Sequence, residues 1–333
     1  MYVKDAFKFI LKHNLKIHKN VSEKEIKIGK FTADIFSPPK SRGTILAVHG
    51  MSYNGNKDPR MMNLCRSFAG TGFTVIAPSY KKIAGLKIEK GEIKDIISTI
   101  KHIAGDKTLC PEGKIGLFSV SFSGGLCLIA ASDVSVRNLI SSVLVVGSHG
   151  DVKSSVEYFM EKAELDDYGT MIVLYNFIEF GTGPKPNLAK SFYLSAIDNS
   201  RNTDELTAHL KKLSAKDRDL FLRLKTDPQA RMNYWKKILK AAAAKNIYMK
   251  DISPYPLIEN VDAAVTFIHG DRDPVIPPEQ SVIMHEKRIN AGKKSKLLLT
   301  PILSHGNVSL GLSRISAVIE LAKAFAFFFR YLK

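Results

Sequence analysis

The stretch Lys114-Ile-Gly-Leu-Phe-Ser-Val-Ser-Phe-Ser-Gly-Gly-Leu-Cys-Leu-Ile-Ala-Ala131 constrains this chain most. An apolar, strand-like run ends in a cluster of Ser and Gly, and a small-residue apolar helix begins at once. Strand, tight turn, helix is the order that lifts a serine onto a strained turn as a nucleophile. The usual pattern for such a turn is G-x-S-x-G. Here Ser119 and Ser123 stand where the glycines would be, so Ser119, Ser121 and Ser123 compete for the role. Two features favour Ser121. The apolar run that begins at Ile115 stops there, and Gly124-Gly125 follow as close-packing residues at the start of the helix. The plainer reading of the same residues is a Ser- and Gly-rich turn that binds a phosphate or does nothing.

Catalytic groups of open α/β sheets gather at the carboxyl ends of strands, so the partners of such a serine belong at the other strand ends. A serine hydroxyl needs a base, and the base needs an orienting acid. In Thr266-Phe-Ile-His-Gly-Asp-Arg-Asp-Pro-Val-Ile-Pro277 an apolar strand ends at Gly270 and a loop carries Asp271 and Asp273. Asp273 is preferred, because Pro274-Val-Ile-Pro277 brackets it, whereas Asp271 suits a turn cap. In Leu297-Leu-Leu-Thr-Pro-Ile-Leu-Ser-His-Gly-Asn-Val308 another strand ends before His305. The chain order Ser121, Asp273, His305 is itself informative. His49, His149 and His269 also lie near strand ends. His49 and His269 read as loop braces and His149 as a pocket residue. An oxyanion needs two backbone N–H donors. Phe122 follows the nucleophile, and Met51 follows Gly50 in the loop after the strand 43–49.

Helices and strands alternate over most of the chain. Strands are expected near 25–29, 31–37, 43–49, 73–78, 114–120, 140–147, 263–269 and 295–301. Helices are expected near 59–70, 91–104, 123–133, 278–290 and 310–331. Continuous apolar runs such as Thr44-Ile-Leu-Ala-Val48 indicate strands buried on both faces. The expectation is an α/β fold with a mostly parallel central sheet flanked by helices. The alternation fails between 151 and 250, where only helical patterns occur. That segment reads as an inserted all-helical cap on a core formed by 1–150 and 251–333. It is rich in large residues, including Tyr158, Phe159, Met160, Tyr168, Tyr175 and Phe177. Some of these should roof an apolar pocket, and Tyr53, Tyr158, Tyr168 and His149 are its candidate lining.

At this point the chain resembles the α/β-hydrolase superfamily. The likeness rests on Val48-His-Gly-Met51, Ser119-Val-Ser-Phe-Ser-Gly-Gly125, Gly270-Asp-Arg-Asp273 and Ser304-His-Gly306, in that order. It covers nearly the whole chain outside the helical insertion and is closest to the esterase and dienelactone-hydrolase-like branches. The resemblance implies Ser121 as nucleophile, His305 as base and acid, Asp273 as orienter, and N–H donors at Met51 and Phe122. It implies no metal or organic cofactor. Asp58 and Arg60 lie in a segment carried by some uncharacterised members, where they would pair and fix the oxyanion loop.

Charge and composition exclude other classes. The net charge of +17 comes from 37 Lys against 12 Arg. The lysines are scattered, and no nucleic-acid-binding motif accompanies them, so no nucleic-acid partner is expected. The three cysteines have no metal spacing. Cys127 reads as a small buried apolar group. No apolar run reaches the length of a membrane span, and the start lacks a signal-peptide pattern, so a cytoplasmic protein is expected. Val3, Phe7, Ile10 and Leu11 share a helical face, with Lys4, Lys8 and Lys12 on another. This suits either a terminal helix packed on its own domain or contact with an acidic membrane surface. The apolar C-terminal run, with Phe325, Phe327, Phe328 and Phe329, suits a helix buried on the sheet or partly in a homodimer contact.

The expected activity is hydrolysis of a small-molecule carboxylic ester with an apolar acyl group. Thioester or peptide cleavage by the same triad is the alternative. So is a non-catalytic hydrolase-fold protein that binds at an acidic membrane surface.

Overall fold

A computed structural model describes residues 2–161, 168–198, 204–244, 249–304, 307–308 and 315–332. Eight strands form one sheet: β1 (Ser22–Ile28), β2 (Phe31–Ser37), β3 (Thr44–Val48), β4 (Thr74–Pro78), β5 (Ile115–Val120), β6 (Ile140–Val146), β7 (Ala264–Gly270) and β8 (Ser295–Thr300). Their order is β1-β2-β4-β3-β5-β6-β7-β8. β1 pairs antiparallel with β2, and β2 with β4, while every pairing from β4 through β3 to β8 is parallel. The continuous apolar strands β3, β4 and β7 are buried along their whole length, as a sheet covered on both faces requires.

One face carries α1 (Tyr2–Leu15), α2 (Pro59–Gly70) and the C-terminal helix, which spans Ile315–Tyr331. Phenylalanines join them. The Phe9 ring lies 4.5 Å from Phe68 and 4.3 Å from Phe325, and Phe73 stacks on Phe329 at 5.5 Å. Such pairs contribute about 0.5–1.5 kcal/mol each beyond the area they bury. The C-terminal helix therefore buries its phenylalanine face within the chain. The other face carries α3 (Lys81–Ala84), α4 (Gly91–Gly105) and α5 (Phe122–Ser132). Cys65, Cys110 and Cys127 are buried free thiols, and burial pushes Cys127 up to about 12.

Between β6 and β7 the described chain is helical throughout: α6 (Val152–Glu161), α7 (Tyr168–Thr182), α8 (Pro186–Asp198), α9 (Asp204–Lys211), α10 (Ala215–Thr226) and α11 (Pro228–Ala244), then short 3-10 turns. α8 and α10 complete the run of helices expected across the 151–250 segment. Apolar residues of the insertion, such as Met171, Phe192, Phe221 and Trp235, belong to one hydrophobic cluster with sheet residues such as Leu46 and Val143. The insertion thus shares a core with the sheet. After β7 come α12 (Glu279–Asn290), β8, a small hairpin of β9 (Leu303–Ser304) and β10 (Asn307–Val308), and the C-terminal helix α13. Arg288 of α12 is fully buried and donates to the carbonyls of Ile258, Val261, Ala263 and Lys294 at 2.7–3.0 Å. It ties the entry of β7 to the entry of β8. Among the described residues no helix is long and apolar enough to cross a membrane.

Candidate active site

The site lies at the carboxyl ends of β3, β5, β6 and β7. Ser121 links β5 directly to α5, with φ +56° and ψ −141°. A residue with a Cβ avoids this region, so the turn stores strain. It is held open by hydrogen bonds on both sides. The Ser121 N–H donates to Val146 O at 2.8 Å, and Gly124 N–H donates to Ser121 O at 2.9 Å. The three serines now separate. Ser119 is buried, and its hydroxyl donates to Val48 O at 3.1 Å, tying β5 to the end of β3. Ser123 is buried in the first turn of α5, and its hydroxyl has no partner among the described residues. Ser121 alone has the strained backbone and lines a cavity.

Serines stand at the two positions usually held by glycine, and the tight approaches fall at Gly124 and Gly125, one and two residues past Ser123. A Cβ on Gly124 would come within 2.7 Å of Ser148, and one on Gly125 within 2.2 Å of the His149 ring. Those contacts set α5 against the end of β6. His149 is fully buried and stacks on Phe122 at 5.0 Å. Its Nε2 donates to Ile252 O at 2.9 Å, and burial pushes the imidazole down to about 4. It is neutral at physiological pH.

The loop after β3 starts beside the serine, because β3 and β5 are neighbours with Val48 opposite Ser119. A Cβ on Gly50 would sit 3.1 Å from the Val120 side chain and 3.6 Å from the Ser121 Cβ, so glycine lets this loop lie close against the serine turn. Phe122 opens α5, and its N–H is among the helix-end donors without an intrahelical acceptor. The Met51 carbonyl accepts from the Tyr168 hydroxyl, which ties α7 to the loop. His49 is buried and bridges Gly50 O and Tyr80 N–H, the brace expected of it. Asp58 and Arg60 do pair, through Nε at 3.1 Å and Nη2 at 2.9 Å. Asp58 also caps α2 and accepts from Ser52 at 2.7 Å. Burial pushes the Asp58 carboxyl up, but the Arg60 and Ser52 bonds outweigh it and hold it at about 2.

Asp273 is buried three residues past β7. Its Oδ1 accepts from Val275 N–H at 2.9 Å and Ile276 N–H at 3.0 Å, which fixes its direction. Asp271 is exposed, consistent with a turn position. His269 braces this loop. Its Nε2 donates to Ile276 O at 2.9 Å, and its Nδ1 accepts from Ser281 at 2.7 Å. His305 lies outside the described residues. The chain leading to it is placed, however. A Cβ on Gly270 would lie 2.3 Å from Leu303 O, so the segment entering the histidine loop abuts the end of β7 and the Asp273 loop.

Ser121 opens onto an apolar cavity of about 70 Å³. α6 lines it with Val152, Ser155, Val156 and Phe159. α7 adds Tyr168, Gly169, Ile172 and Val173. Met51, Ile88, Phe122, His149, Val275 and Ile276 complete the described wall, which holds no charged side chain. Of the expected pocket residues, His149 and Tyr168 line it. Tyr53 is 52% exposed and does not. Tyr158 stands beside the acid, its hydroxyl donating to Asp273 O at 3.3 Å. The aliphatic liners of α6 and α7 carry no sequence signal that separates them from ordinary helix core, so only folding reveals them. Among the described residues no cluster of His, Cys, Asp or Glu could hold a metal.

Comparison with known proteins agrees with this fold. The model of the prolyl oligopeptidase family matches residues 222–333, about a third of the chain. No curated protein matches by sequence. Among solved structures, an acylaminoacyl peptidase bound to a peptide chloromethyl ketone is 15% identical with a TM-score of 0.53, covering 95% of this chain and 42% of that one. An acylaminoacyl peptidase of Pyrococcus horikoshii is 16% identical at a TM-score of 0.52, covering 96% and 43%. An esterase of Pyrococcus furiosus is 14% identical at a TM-score of 0.51, covering 97% and 94%. The chain thus spans about two fifths of the length of these peptidases and nearly all of the esterase. The strand order, the strained serine turn after β5 and these likenesses together give this chain the α/β-hydrolase fold.

Proposed function

We propose that this protein is a serine hydrolase that cleaves carboxylic esters with a short, uncharged acyl group. The observation that carries the reading is Ser121, held at φ +56° on the β5–α5 turn and facing an apolar cavity. In the reaction His305 takes the Ser121 hydroxyl proton as Oγ bonds to the acyl carbon. The oxyanion is met by the N–H groups of Met51 and Phe122. The C–O bond to the leaving alcohol then breaks, and His305 returns the proton to it. Water, deprotonated by His305, attacks the acyl-enzyme, and the acid leaves as Ser121 regains its proton. Asp273, aimed by two backbone N–H groups, orients the histidine. The helices between β6 and β7 act as a cap, with α6 and α7 as the acyl wall.

The cavity supports the substrate class. Its roughly 70 Å³ is far below the ~300 Å³ at which drug-sized pockets begin. Its described wall has no cation to neutralise a carboxylate. A second reading, cleavage of acylated peptides, is favoured by the prolyl oligopeptidase match over residues 222–333 and by the acylaminoacyl peptidases among the similar folds.

Fluorophosphonate labelling tests the nucleophile. An adduct on the wild type and on Ser123→Ala, absent from Ser121→Ala, is expected. An adduct that survives Ser121→Ala removes Ser121 from the role. A panel of p-nitrophenyl esters of rising acyl length, run beside N-acyl amino-acid p-nitroanilides, tests the substrate. The expected kcat/KM is highest for the shortest acyl chains. Faster turnover of the anilides would favour the peptidase reading.

A further inference from the structure

Helix α1 has two apolar faces, and the fold uses only one. Ala6, Phe9 and Ile10 are buried against α2 and α13. Of the residues that share a face by spacing, Ile10 is buried, whereas Val3, Phe7 and Leu11 are 52%, 42% and 59% exposed. Leu15 continues their four-residue spacing at 56%, and Ile17 follows just past the helix at 46%. Single exposed apolar residues are ordinary, but a continuous row marks an interaction site. One residue on, Lys4, Lys8 and Lys12 form the adjacent row, and Lys16 and Lys19 extend it. Lys4, Lys8, Lys16 and Lys19 are exposed. The only carboxylate of the helix, Asp5, is paired with Arg42 at 2.9 Å, so it does not offset them.

We infer that this face of α1 is a peripheral docking surface for an anionic lipid bilayer. The apolar row enters the boundary between headgroups and acyl chains, while the lysine stems extend along it and their ammonium groups reach the phosphates. Charge selects this occupant. A second copy would set the same lysines against each other on a chain already at +17, and like charges facing across a contact oppose it. An anionic surface attracts them, at about fivefold in partition for each lysine near it. The helix is already formed and fixed to the core through Phe9, so docking carries no cost of folding the helix.

Sedimentation of the full chain with vesicles tests this, with no hydrolytic readout. One vesicle set is phosphatidylcholine alone, and the other contains phosphatidylglycerol as well. The expected result is binding to the anionic set that weakens with salt. Phe7→Glu/Leu11→Glu should lower it at least ~10-fold, and Lys4→Gln/Lys8→Gln about 25-fold. Both pairs change exposed residues, and circular-dichroism melting checks that each variant is folded. Equal binding to neutral vesicles overturns the inference, as does undiminished binding by both folded variants. A concentration-dependent dimer dissolved by Leu11→Glu would also overturn it, assigning the face to a second copy.

Discussion

Replacing Ser121 by glycine should make the protein more stable while abolishing labelling. A residue with a Cβ at φ +56°, ψ −141° costs about 1–3 kcal/mol, because that region is open essentially to glycine alone. Glycine relieves the strain but gives the unfolded chain more freedom, a loss of roughly 0.5–1 kcal/mol. The difference leaves about 1 kcal/mol in favour of Ser121→Gly. The proper reference is Ser121→Ala, which keeps the Cβ and the strain and loses the same hydroxyl interactions. Urea unfolding of the two variants at equal m-value isolates the backbone term. At an ordinary position Ser→Gly is the less stable of the pair. Ser121→Gly falling below Ser121→Ala by about 1 kcal/mol would refute the strained turn and, with it, the reason for preferring Ser121 over Ser123. Ser123→Ala supplies the control. Its buried hydroxyl has no partner among the described residues, so removing it should leave stability unchanged or slightly raised.

Three further outcomes follow from the same geometry. His149 is held near 4 in the fold against about 6.5 unfolded, so the unfolded chain binds the extra proton first as pH falls. Its contribution, about 3 kcal/mol, is present above pH ~6.5 and lost progressively toward pH ~4. The unfolding free energy of His149→Gln should fall less steeply over that window, and an equal slope would remove His149 as the source. Gly125→Ala forces a methyl to within 2.2 Å of the His149 ring, and should destabilise by about 1–3 kcal/mol and weaken labelling of Ser121. Arg288→Met leaves four carbonyls without their shared donor, and should cost at least about 3 kcal/mol in urea unfolding with no change in acyl-length preference.

Local patterns made most of the sheet legible. Continuous apolar runs bounded by turns marked β3, β4 and β6 to within a residue, because burial on both faces leaves no other composition workable. The Asp58–Arg60 pair and the braces at His49 and His269 were legible too, since each is set by a short turn. Helix α1 was not. Val3, Phe7, Ile10 and Leu11 share a face by spacing, which suited either packing on the domain or a membrane surface, and of these only Ile10 joins Ala6 and Phe9 in the buried set. A helix with two apolar stripes does not say which one its neighbours take. Here the phenylalanines of α2 and α13 decide it.

The sequence by itself determined the order of serine, acid and histidine along an alternating chain, because strand ends and turns are local features. It favoured Ser121 over Ser119 and Ser123, by where the apolar run stops and where Gly124-Gly125 follow. Only the tertiary structure shows which of the three lines a cavity and which has the strained backbone, quantities that depend on β3, β6 and α7 packing around the turn. The size and charge of that cavity were likewise decided in three dimensions. Its walls come from helices far from Ser121 in sequence, brought to it only because the insertion between β6 and β7 folds into the same core as the sheet.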